Sequence, residues 1–334
     1  MNIFDMTMEN LGCFLRENGE NPAKSRIIYD GIYKQGVRDF SGFGFSERVV
    51  EKLSAFDFAE PKVVRKLENE SAAKLLLELT DGNLCETVLM RQRFGACVCV
   101  STQVGCNMGC KFCRSGQIKK RRNLTAGEIV GQVLAIEREF SCKIYGVSVM
   151  GIGEPFDNFD AVRDFCEIVT EDKGLAVGKR HVTVSTCGIV PEIYRFADSA
   201  RPTSLAISLH APNDALRNEL MPINKKYPIS EVLSAAEYYT EKTRKRVTLE
   251  YIMLGGVNDE KSHAEELARV IGGRDFYVNL IPYNSTDCGF TQSSPEKISE
   301  FCATLKENGV VATKRKEFGA DLNAACGQLL SDYT

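Results

Sequence analysis

The sequence predicts an α/β protein: a partial, open β/α barrel preceded by a small helical domain and followed by a short tail. Three observations indicate this class. From residue 96 onwards, apolar strand-like runs alternate with amphipathic helical stretches, which implies a parallel sheet with right-handed crossovers. Seven such runs fall short of the eight units of a closed barrel. The first 85 or so residues have mostly helical periodicity.

The first segment is expected to end in a strand pair. Helical spacing of apolar residues marks SRIIYDGIYKQGV and SERVVEKLSAF. Two strand-like runs follow, AAKLLLELTDGN and CETVLM, with Asp81, Gly82 and Asn83 as the turn between them.

The core elements follow from alternating and helical patterns. The predicted strands cover residues 96–103, 145–152, 181–187, 204–210, 247–254, 276–282 and 310–314. Helices are predicted in TAGEIVGQVLAIEREF, NFDAVRDFCEIVTED, EVLSAAEYYTEK, HAEELARVIGG and PEKISEFCATLKENG. The first of these helices opens with Thr125 and Glu128 at capping-box spacing. In such a sheet, functional groups collect at the carboxyl ends of the strands.

Composition limits the class of protein. The 334 residues include 42 basic and 45 acidic side chains, which gives a net charge of −3. This balance excludes a uniformly basic surface but is compatible with a local basic one. The amino terminus has neither a basic nor an apolar leader segment, and no apolar run reaches the roughly 18 residues of a membrane span. We therefore expect a cytoplasmic protein with no membrane partner, whose 13 cysteines are reduced, buried, metal-bound or catalytic.

A cysteine-rich loop, GCNMGCKFCRSG, follows the first core strand directly. It places Cys106, Cys110 and Cys113 in a C-x3-C-x2-C run, so that three thiolates can converge on one metal centre. Structural zinc sites use four ligands, and no fourth Cys or His is near in the sequence. A four-iron cluster held by three thiolates leaves one iron open for an external ligand. The glycines that permit so tight a loop are Gly105, Gly109 and Gly116.

This loop resembles the cluster-binding loop of the radical S-adenosylmethionine (SAM) superfamily. Further stretches narrow the resemblance to the RlmN/Cfr family of radical rRNA adenine methyltransferases. They are CVSTQVGCNMGCKFC, MGIGEPFDN, VSTCGIVP, SLHAPND, LMPINKKYP, EYIMLGGVND, NLIPYN and AACGQL. KSRIIYDGIYKQGVRDF is similar to the helical N-terminal domain of the family, so the resemblance runs nearly end to end.

The resemblance implies one 4Fe-4S cluster on the three cysteines of the loop and two SAM molecules per turnover. It also implies three parts of the chain: an accessory RNA-binding domain in residues 1–90, a radical SAM core in 91–321 and a tail in 322–334. Each implied SAM position lies at or just after the end of a predicted strand. These positions are Gly153, Glu154, Ser185, Ser208, Leu209, His210 and Asn284.

Three further residues have roles that the resemblance implies. Cys326, in AACGQL, takes a methyl group from one SAM and becomes S-methylcysteine. A radical formed from the second SAM abstracts hydrogen from this methyl group, and the resulting methylene radical adds to adenine. Cys99 then releases the RNA adduct through a transient disulfide with Cys326, and Glu86 handles a proton. From the residues alone, Cys99 equally fits a core position beside Cys97, and Glu86 fits a solvated charge.

The implied partners are 23S rRNA, tRNA and an electron donor such as flavodoxin or ferredoxin. In the family the target is adenosine 2503 of the rRNA and adenosine 37 of some tRNAs. Three basic runs are candidates for RNA contact: IKKRRN at 118–123, KTRKR at 242–246 and TKRKE at 313–317. Their places beside strand ends and the tail predict a basic groove.

Some alternatives stay open at this point. GEPF at 153–156 and NLIPYN are typical of the RlmN branch, which methylates carbon 2, whereas the Cfr branch methylates carbon 8 and confers antibiotic resistance. Arg114 and Ser115 depart from the small residues usual after the third cluster cysteine. A zinc-stabilised RNA-binding protein without turnover and a radical enzyme with a small-molecule or peptide substrate are the competing classes.

Overall fold

A ten-stranded sheet dominates the protein. The computed structural model describes residues 1–200, 202–286, 288–315, 319, 322 and 324–329. The strands are β1 Lys62–Glu68, β2 Ala72–Glu78, β3 Leu84–Gln92, β4 Gly95–Cys99, β5 Gln103–Val104, β6 Arg122–Asn123, β7 Ile144–Val149, β8 Val182–Thr186, β9 Ser204–Ser208, β10 Val247–Met253, β11 Phe276–Pro282 and β12 Val311–Lys314. β5 and β6 form a separate two-stranded ribbon.

Helices cover the outer face of the sheet and connect its parallel strands. They are α1 Met8–Glu17, α2 Ser25–Gln35, α3 Glu47–Ser54, α4 Ala126–Phe140, α5 Phe159–Thr170, α6 Val190–Asp198, α7 Asp214–Leu220, α8 Ile229–Thr243, α9 Lys261–Ile271 and α10 Pro295–Glu307. The Thr125–Glu128 capping box at the start of α4 is confirmed. Within the ranges given above, no helix combines the length and apolar character needed to cross a membrane.

The sheet is open, as predicted. Its strand order is β1-β2-β3-β4-β7-β8-β9-β10-β11-β12. The first four strands pair antiparallel, and every pair from β4 to β12 is parallel. Among the described residues β1 and β12 are the two edges and do not pair, so the sheet curves without closing into a barrel.

All seven predicted core strands and the predicted hairpin of β2 and β3 are confirmed. Strand β1 and the short helices α6 and α7 were not predicted. β1 is a charged edge strand, KVVRKLE, with at most half-buried side chains, so it lacks the alternation that marks a strand with one buried face. α6 and α7 span only nine and seven residues, too few for a clear helical period.

The helical N-terminal segment packs directly against the rest of the chain. Leu11, Tyr29 and Val49 of α1, α2 and α3 belong to the same hydrophobic core as the sheet. Asp5 Oδ1 accepts a hydrogen bond from the Gly127 N–H at 2.6 Å, at the amino end of α4. The predicted boundary between the N-terminal domain, residues 1–90, and the core, residues 91–321, falls inside β3. This strand pairs with β2 on one side and with β4 on the other.

A buried glutamine fixes the chain where β4 leads towards the cysteine-rich loop. Gln132 of α4 is completely buried. Its Oε1 accepts from the Ser101 N–H at 2.8 Å, and its Nε2 donates to Ser101 O at 2.9 Å. Both backbone groups of this residue are therefore satisfied by one side chain from the neighbouring helix.

We expect Gln132→Leu to destabilise the protein, because it leaves two buried backbone groups without partners. Each such group costs about 1–3 kcal/mol. Anaerobic chemical denaturation measures the change in the free energy of unfolding. Gln35→Leu, at an exposed position of α2, is the matched control and should change it little. Equal stability of the two variants would contradict this account of the Ser101 contact.

Candidate active site

A cavity of about 880 Å³ opens at the carboxyl ends of β7, β8, β9 and β10. The cysteine-rich loop after β5 forms one wall, and the strand ends form the other. The residues predicted from sequence that line it are Cys106, Cys110, Cys113, Gly153, Glu154, Ser185, Ser208, His210 and Cys326. The structure thus brings together the predicted cluster ligands, most predicted SAM positions and the tail cysteine.

Backbone contacts hold the cysteine-rich loop in a tight conformation. The Cys106 N–H donates to Ile118 O at 2.9 Å, which ties the start of the loop to its end. Gly105 has a φ of +79°, and a Cβ at this position would lie 2.5 Å from the Lys119 carbonyl oxygen. Because only glycine avoids this clash, the path of the loop depends on it.

The surroundings of the three thiols suit a metal cluster. Burial raises the pKa of Cys106 to about 12 and also raises the pKa values of Cys110 and Cys113. Ionised thiols in such surroundings require a positive charge beside them, which the iron of a 4Fe-4S cluster supplies. In the described part of the chain, no three His, Cys, Asp or Glu side chains converge closely enough for a single metal ion. The spacing, burial and number of the thiols fit a multi-iron cluster.

Glu154 and Gly153 form a polar edge of the cavity. Glu154 Oε1 accepts a hydrogen bond from the Phe156 N–H at 3.0 Å, and Oε2 accepts one from the Cys187 N–H at 2.8 Å. Burial raises the pKa of Glu154, while these backbone donors lower it. Gly153 has a φ of +106°, and a Cβ there would lie 2.6 Å from Gln103 Cβ. Gly153 and Glu154 both line the cavity, so a bound ammonium group could meet both a carboxylate and the main chain here.

His210 presents a neutral imidazole to the cavity. Its Nδ1 accepts a hydrogen bond from the Ile252 N–H at 3.0 Å, and its ring meets Phe112 edge-on at a centroid distance of 4.8 Å. Burial, with a smaller contribution from the charge of Arg217, lowers the pKa of His210 to about 3. Because Nδ1 is an acceptor, the ring proton lies on Nε2, which is then a hydrogen-bond donor.

A buried guanidinium fixes the ends of β8 and β9. Arg217 is completely buried and donates to the carbonyl oxygens of Cys187, Ser208 and Leu209 at 2.7, 3.0 and 3.0 Å. A further bond of 2.7 Å reaches Oδ1 of Asn224. The Leu209 side chain packs in the hydrophobic core, away from the cavity wall. Charge-assisted bonds of this kind hold the strand ends, and hence the predicted SAM positions, in fixed places.

The tail docks on the cysteine-rich loop. The Arg114 N–H donates to Gly327 O at 3.0 Å, and Ser115 Oγ donates to Leu329 O at 2.6 Å. These two loop residues are the ones that depart from the family pattern. The departure removes none of the predicted cluster ligands, and it lies where the loop holds the backbone directly after Cys326.

Cys326 lies where the large cavity meets a smaller one of about 530 Å³. Cys99, Asn284 and Arg315 line the smaller cavity, and Asn284 Nδ2 lies 3.5 Å from Cys326 O. Both Cys99 and Cys326 are free thiols. Burial and, to a lesser degree, charge on Cys326 raise the pKa of Cys99 to about 11. The tail thiol thus has the cluster ligands on one side and Cys99 on the other.

Glu86 is buried, so its interpretation as a solvated charge was wrong. It lies in β3 with no solvent exposure, and its Oε1 is 3.0 Å from Lys74 Nζ on β2. Val88 and Met90 follow it on the same face of β3 and line the smaller cavity. Glu86 itself is not among the residues that line either cavity.

The three basic runs do not form one groove. In 118–123, Lys120 pairs with Asp157 at 2.6 Å and Arg122 pairs with Glu128 at 2.7 Å, so these cations are already neutralised. The run 242–246 precedes β10 and therefore lies at the opposite end of the sheet from the cavity. In the third run, Arg315 lines the cavity, and residues 316 and 317 lie outside the described residues.

Several residues of the cavity, among them Met150, Cys187 and Glu250, were not anticipated from the sequence as site residues. Glu250 accepts a hydrogen bond from Asn279 Nδ2 at 2.8 Å, and its Oε2 lies 3.8 Å from Arg315 Nη1. For Glu250 the sequence did contain a signal, because the alternation of side chains along β10 places this polar residue on the inward face of the strand.

We expect Ser115→Ala to loosen the tail, because it removes the hydroxyl that donates to Leu329 O. A hydrogen bond of this kind contributes about 0.5–1.5 kcal/mol, so alkylation of Cys326 by iodoacetamide should be about 2- to 12-fold faster. Peptide mass spectrometry measures the rate, with iron content verified to be unchanged. Ser299→Ala, which removes a similar hydroxyl-to-carbonyl bond on α10, is the matched control. Equal alkylation rates in both variants would show that this contact does not hold the tail.

Comparison with known proteins agrees with this geometry. The family model of the radical SAM superfamily matches residues 100–268. A protein of Clostridium perfringens, named probable dual-specificity RNA methyltransferase RlmN, is 47% identical over 99% of this chain and 97% of its own length. A protein of Acholeplasma laidlawii with the same name is 45% identical over 99% of both chains.

A solved structure is also similar over nearly the whole chain. It is a radical SAM methyltransferase from Sphaerobacter thermophilus, 40% identical, with a TM-score of 0.89 and 98% of each chain covered. Superfamily members carry a 4Fe-4S cluster and use SAM, for which the donor set described above is suited. By these similarities and by its own cysteine-rich loop, the chain belongs to the radical SAM superfamily and, within it, to the RlmN family of RNA methyltransferases.

Proposed function

We propose that this protein methylates carbon 2 of adenosine 2503 in 23S rRNA and of adenosine 37 in tRNAs, and that Cys326 carries the methyl group. One observation carries the proposal: the Cys326 thiol lies at the junction of the cavity with the cluster ligands and the cavity with Cys99. The relatives' name, dual-specificity RNA methyltransferase, supports action on more than one RNA.

The residues of the large cavity are suited to bind the cofactors. Cys106, Cys110 and Cys113 would hold the cluster. The Glu154 carboxylate would accept hydrogen bonds from the SAM ammonium, and His210 Nε2 would donate one to the cofactor. When bound, the cluster and SAM supply the radical and the methyl group of the reaction. The protein's part is to hold these groups beside the tail thiol and to exclude water from between them.

Cys326 is needed because of the chemistry of adenine. Carbon 2 is electron-poor and has no lone pair, so it cannot attack an ordinary methyl donor. A thiol that has lost its proton is a good nucleophile and can take the methyl group first. The docked tail presents this thiol at the cavity wall, and the guanidinium of Arg315 lies in the same cavities.

Cys99 and Glu86 complete the proposed reaction. Cys99, as a thiolate, attacks the sulfur of Cys326, and a disulfide forms. The bond between this sulfur and the RNA-bound carbon breaks, and that carbon keeps the electron pair and takes up a proton to become the methyl group. An external thiol then reduces the disulfide. Glu86 accepts the proton lost from carbon 2, and the Lys74 ammonium beside it holds the carboxylate in place. Because Glu86 lies behind the wall of the smaller cavity, this transfer requires a water molecule or a small movement of β3.

Carbon 2 is favoured over carbon 8 by the sequence around the site. The GEPF segment places Pro155 at the start of a 3-10 helix (Pro155–Asn158), in which the Glu154 carboxylate accepts a hydrogen bond from the Phe156 N–H. This segment and NLIPYN are typical of the RlmN branch, and the similar proteins named above carry the RlmN name. The Cfr-type reaction remains the second candidate, and the nucleoside product distinguishes the two.

The proposal also includes partners that the cavity requires. A target adenine must leave its stack to reach a site at the strand ends. Residues 1–90, with the exposed and cationic edge strand β1, are proposed to contribute to RNA binding. An electron donor of the flavodoxin or ferredoxin class is proposed to reduce the cluster.

We expect the anaerobically reconstituted protein to produce 2-methyladenosine in unmodified 23S rRNA and tRNA, as measured by nucleoside mass spectrometry. Cys326→Ala should lower product formation on the order of 10³-fold or more, because the methyl carrier is lost. Cys13→Ala, a half-buried thiol of α1, is the matched control and should retain activity.

Three outcomes would contradict the proposal. 8-Methyladenosine as the product would support the Cfr-type reaction instead. Undiminished methylation by Cys326→Ala would exclude the two-thiol mechanism. If wild-type protein with an intact cluster methylated neither RNA, the substrate assignment itself would be wrong.

A further inference from the structure

Three aromatic rings pack against one another at the end of the sheet opposite to the cavity, with their planes tilted by 56° and 41°. Phe94 directly precedes β4, Tyr145 is the second residue of β7, and His181 directly precedes β8. The ring centroids are 5.5 Å apart for Phe94 and Tyr145 and 4.3 Å apart for Tyr145 and His181. Phe94 is 59% exposed and Tyr145 is 42% exposed. We call these three residues the basal stack.

Close packing on the main chain holds the basal stack in place. A Cβ at Gly95 would lie 2.8 Å from Tyr145 Cβ, and a Cβ at Gly178 would lie 2.9 Å from His181 Cδ2. The absence of a side chain at Gly95 and Gly178 thus lets Tyr145 and His181 pack directly against the backbone. The rings are therefore held in one arrangement while Phe94 and Tyr145 keep large exposed areas, which suits binding by stacking.

Cations without carboxylate partners flank the basal stack. Arg93 adjoins Phe94, and Lys179 and Arg180 adjoin His181. Within the described ranges, none of these three forms an ion pair. Burial, and then the charges of Lys179 and Arg180, lower the pKa of Lys245, so these cations lie close together. Uncompensated positive charges that repel one another favour an anionic ligand.

An open groove of about 1100 Å³ begins at the basal stack. Its walls include the side chains of Thr248, Asn279 and Thr313, on the inward faces of β10, β11 and β12. Hydroxyl and amide groups of this kind donate to and accept from the edges of a nucleobase. The site therefore combines stacking faces, positive charge and hydrogen-bonding groups.

We propose that the basal stack and its cations bind a single-stranded segment of RNA, with unpaired bases on Phe94 and Tyr145 and phosphates on Lys179 and Arg180. Exposed aromatic rings beside uncompensated cations are the combination by which proteins bind unpaired nucleotides. The inference rests on the proposed function in taking the substrate to be RNA. It adds a contact surface remote from the reacting base.

The position of the basal stack favours RNA over the electron donor. A reductant must approach the cluster ligands, which lie at the carboxyl end of the sheet. The basal stack is separated from that end by the length of β7, six residues or about 20 Å. A folded RNA is large enough to place one nucleotide in the cavity and an unpaired segment at the other end.

Binding of a fluorescein-labelled twelve-nucleotide oligouridine to the reconstituted protein tests the inference by fluorescence anisotropy. Phe94→Ala should raise Kd about tenfold, because a stacking face is lost. Lys179→Ala with Arg180→Ala should raise Kd and reduce the slope of log affinity against log salt by about 1.4, as expected for two phosphate contacts. In methylation assays the KM for RNA should rise, with kcat unchanged at saturating RNA.

A matched control makes the result specific. Lys242→Ala with Arg246→Ala removes the same charge from the same end of the sheet, but these cations already pair with Asp198 and Asp275 at 2.9 and 2.6 Å. This control variant should bind oligouridine like the wild type.

Unchanged affinity for oligouridine in both variants of the basal stack and its cations would overturn the inference. It would also be overturned if these variants lost affinity only for an acidic peptide such as polyglutamate, the result expected for a protein partner. Failure of the proposed function is distinguishable, because oligouridine binding is measured without turnover. Wild-type protein that binds oligouridine through Phe94 but methylates no RNA would retain this inference and contradict the proposed reaction.

Discussion

The docking of the tail on the cysteine-rich loop is the interaction on which the site depends. Two hydrogen bonds, from the Arg114 N–H to Gly327 O and from Ser115 Oγ to Leu329 O, hold the backbone directly after Cys326. No strand of the sheet carries this thiol, and chain ends are poorly held unless they are tied down in this way. The same loop carries Cys106, Cys110 and Cys113, the predicted cluster ligands, so the contact fixes the tail thiol relative to these three thiols.

The open parallel sheet gives the rest of the geometry. Parallel strands end at one edge, where the cavity collects its polar groups, and begin at the other, where the basal stack lies. Glu250 and Arg315 line both the cavity and the groove and stand between the two ends. A closed barrel would leave no comparable groove along its interior. The openness of the sheet thus underlies both the established chemistry of the family and the proposed second RNA contact.

Much of the fold could be predicted from sequence because its signals are local. Alternation marked the core strands, and three cysteines within eight residues marked the cluster loop. β1 was not predicted from the sequence, because an exposed edge strand has no buried face and so shows no alternation of apolar and polar residues. The Lys74–Glu86 pair could not be foreseen, because it depends on the register of β2 with β3. Arg217 was missed for a similar reason: its partners are carbonyl groups of distant strand ends.

The most direct test of the central claim is mass spectrometry of the tail peptide after incubation with SAM that carries a deuterated methyl group. The account predicts that the label appears on Cys326 first, and that a chase with RNA and unlabelled SAM transfers it to carbon 2 of adenosine. Labelled adenosine formed while the Cys326 peptide stays unmodified throughout would contradict it.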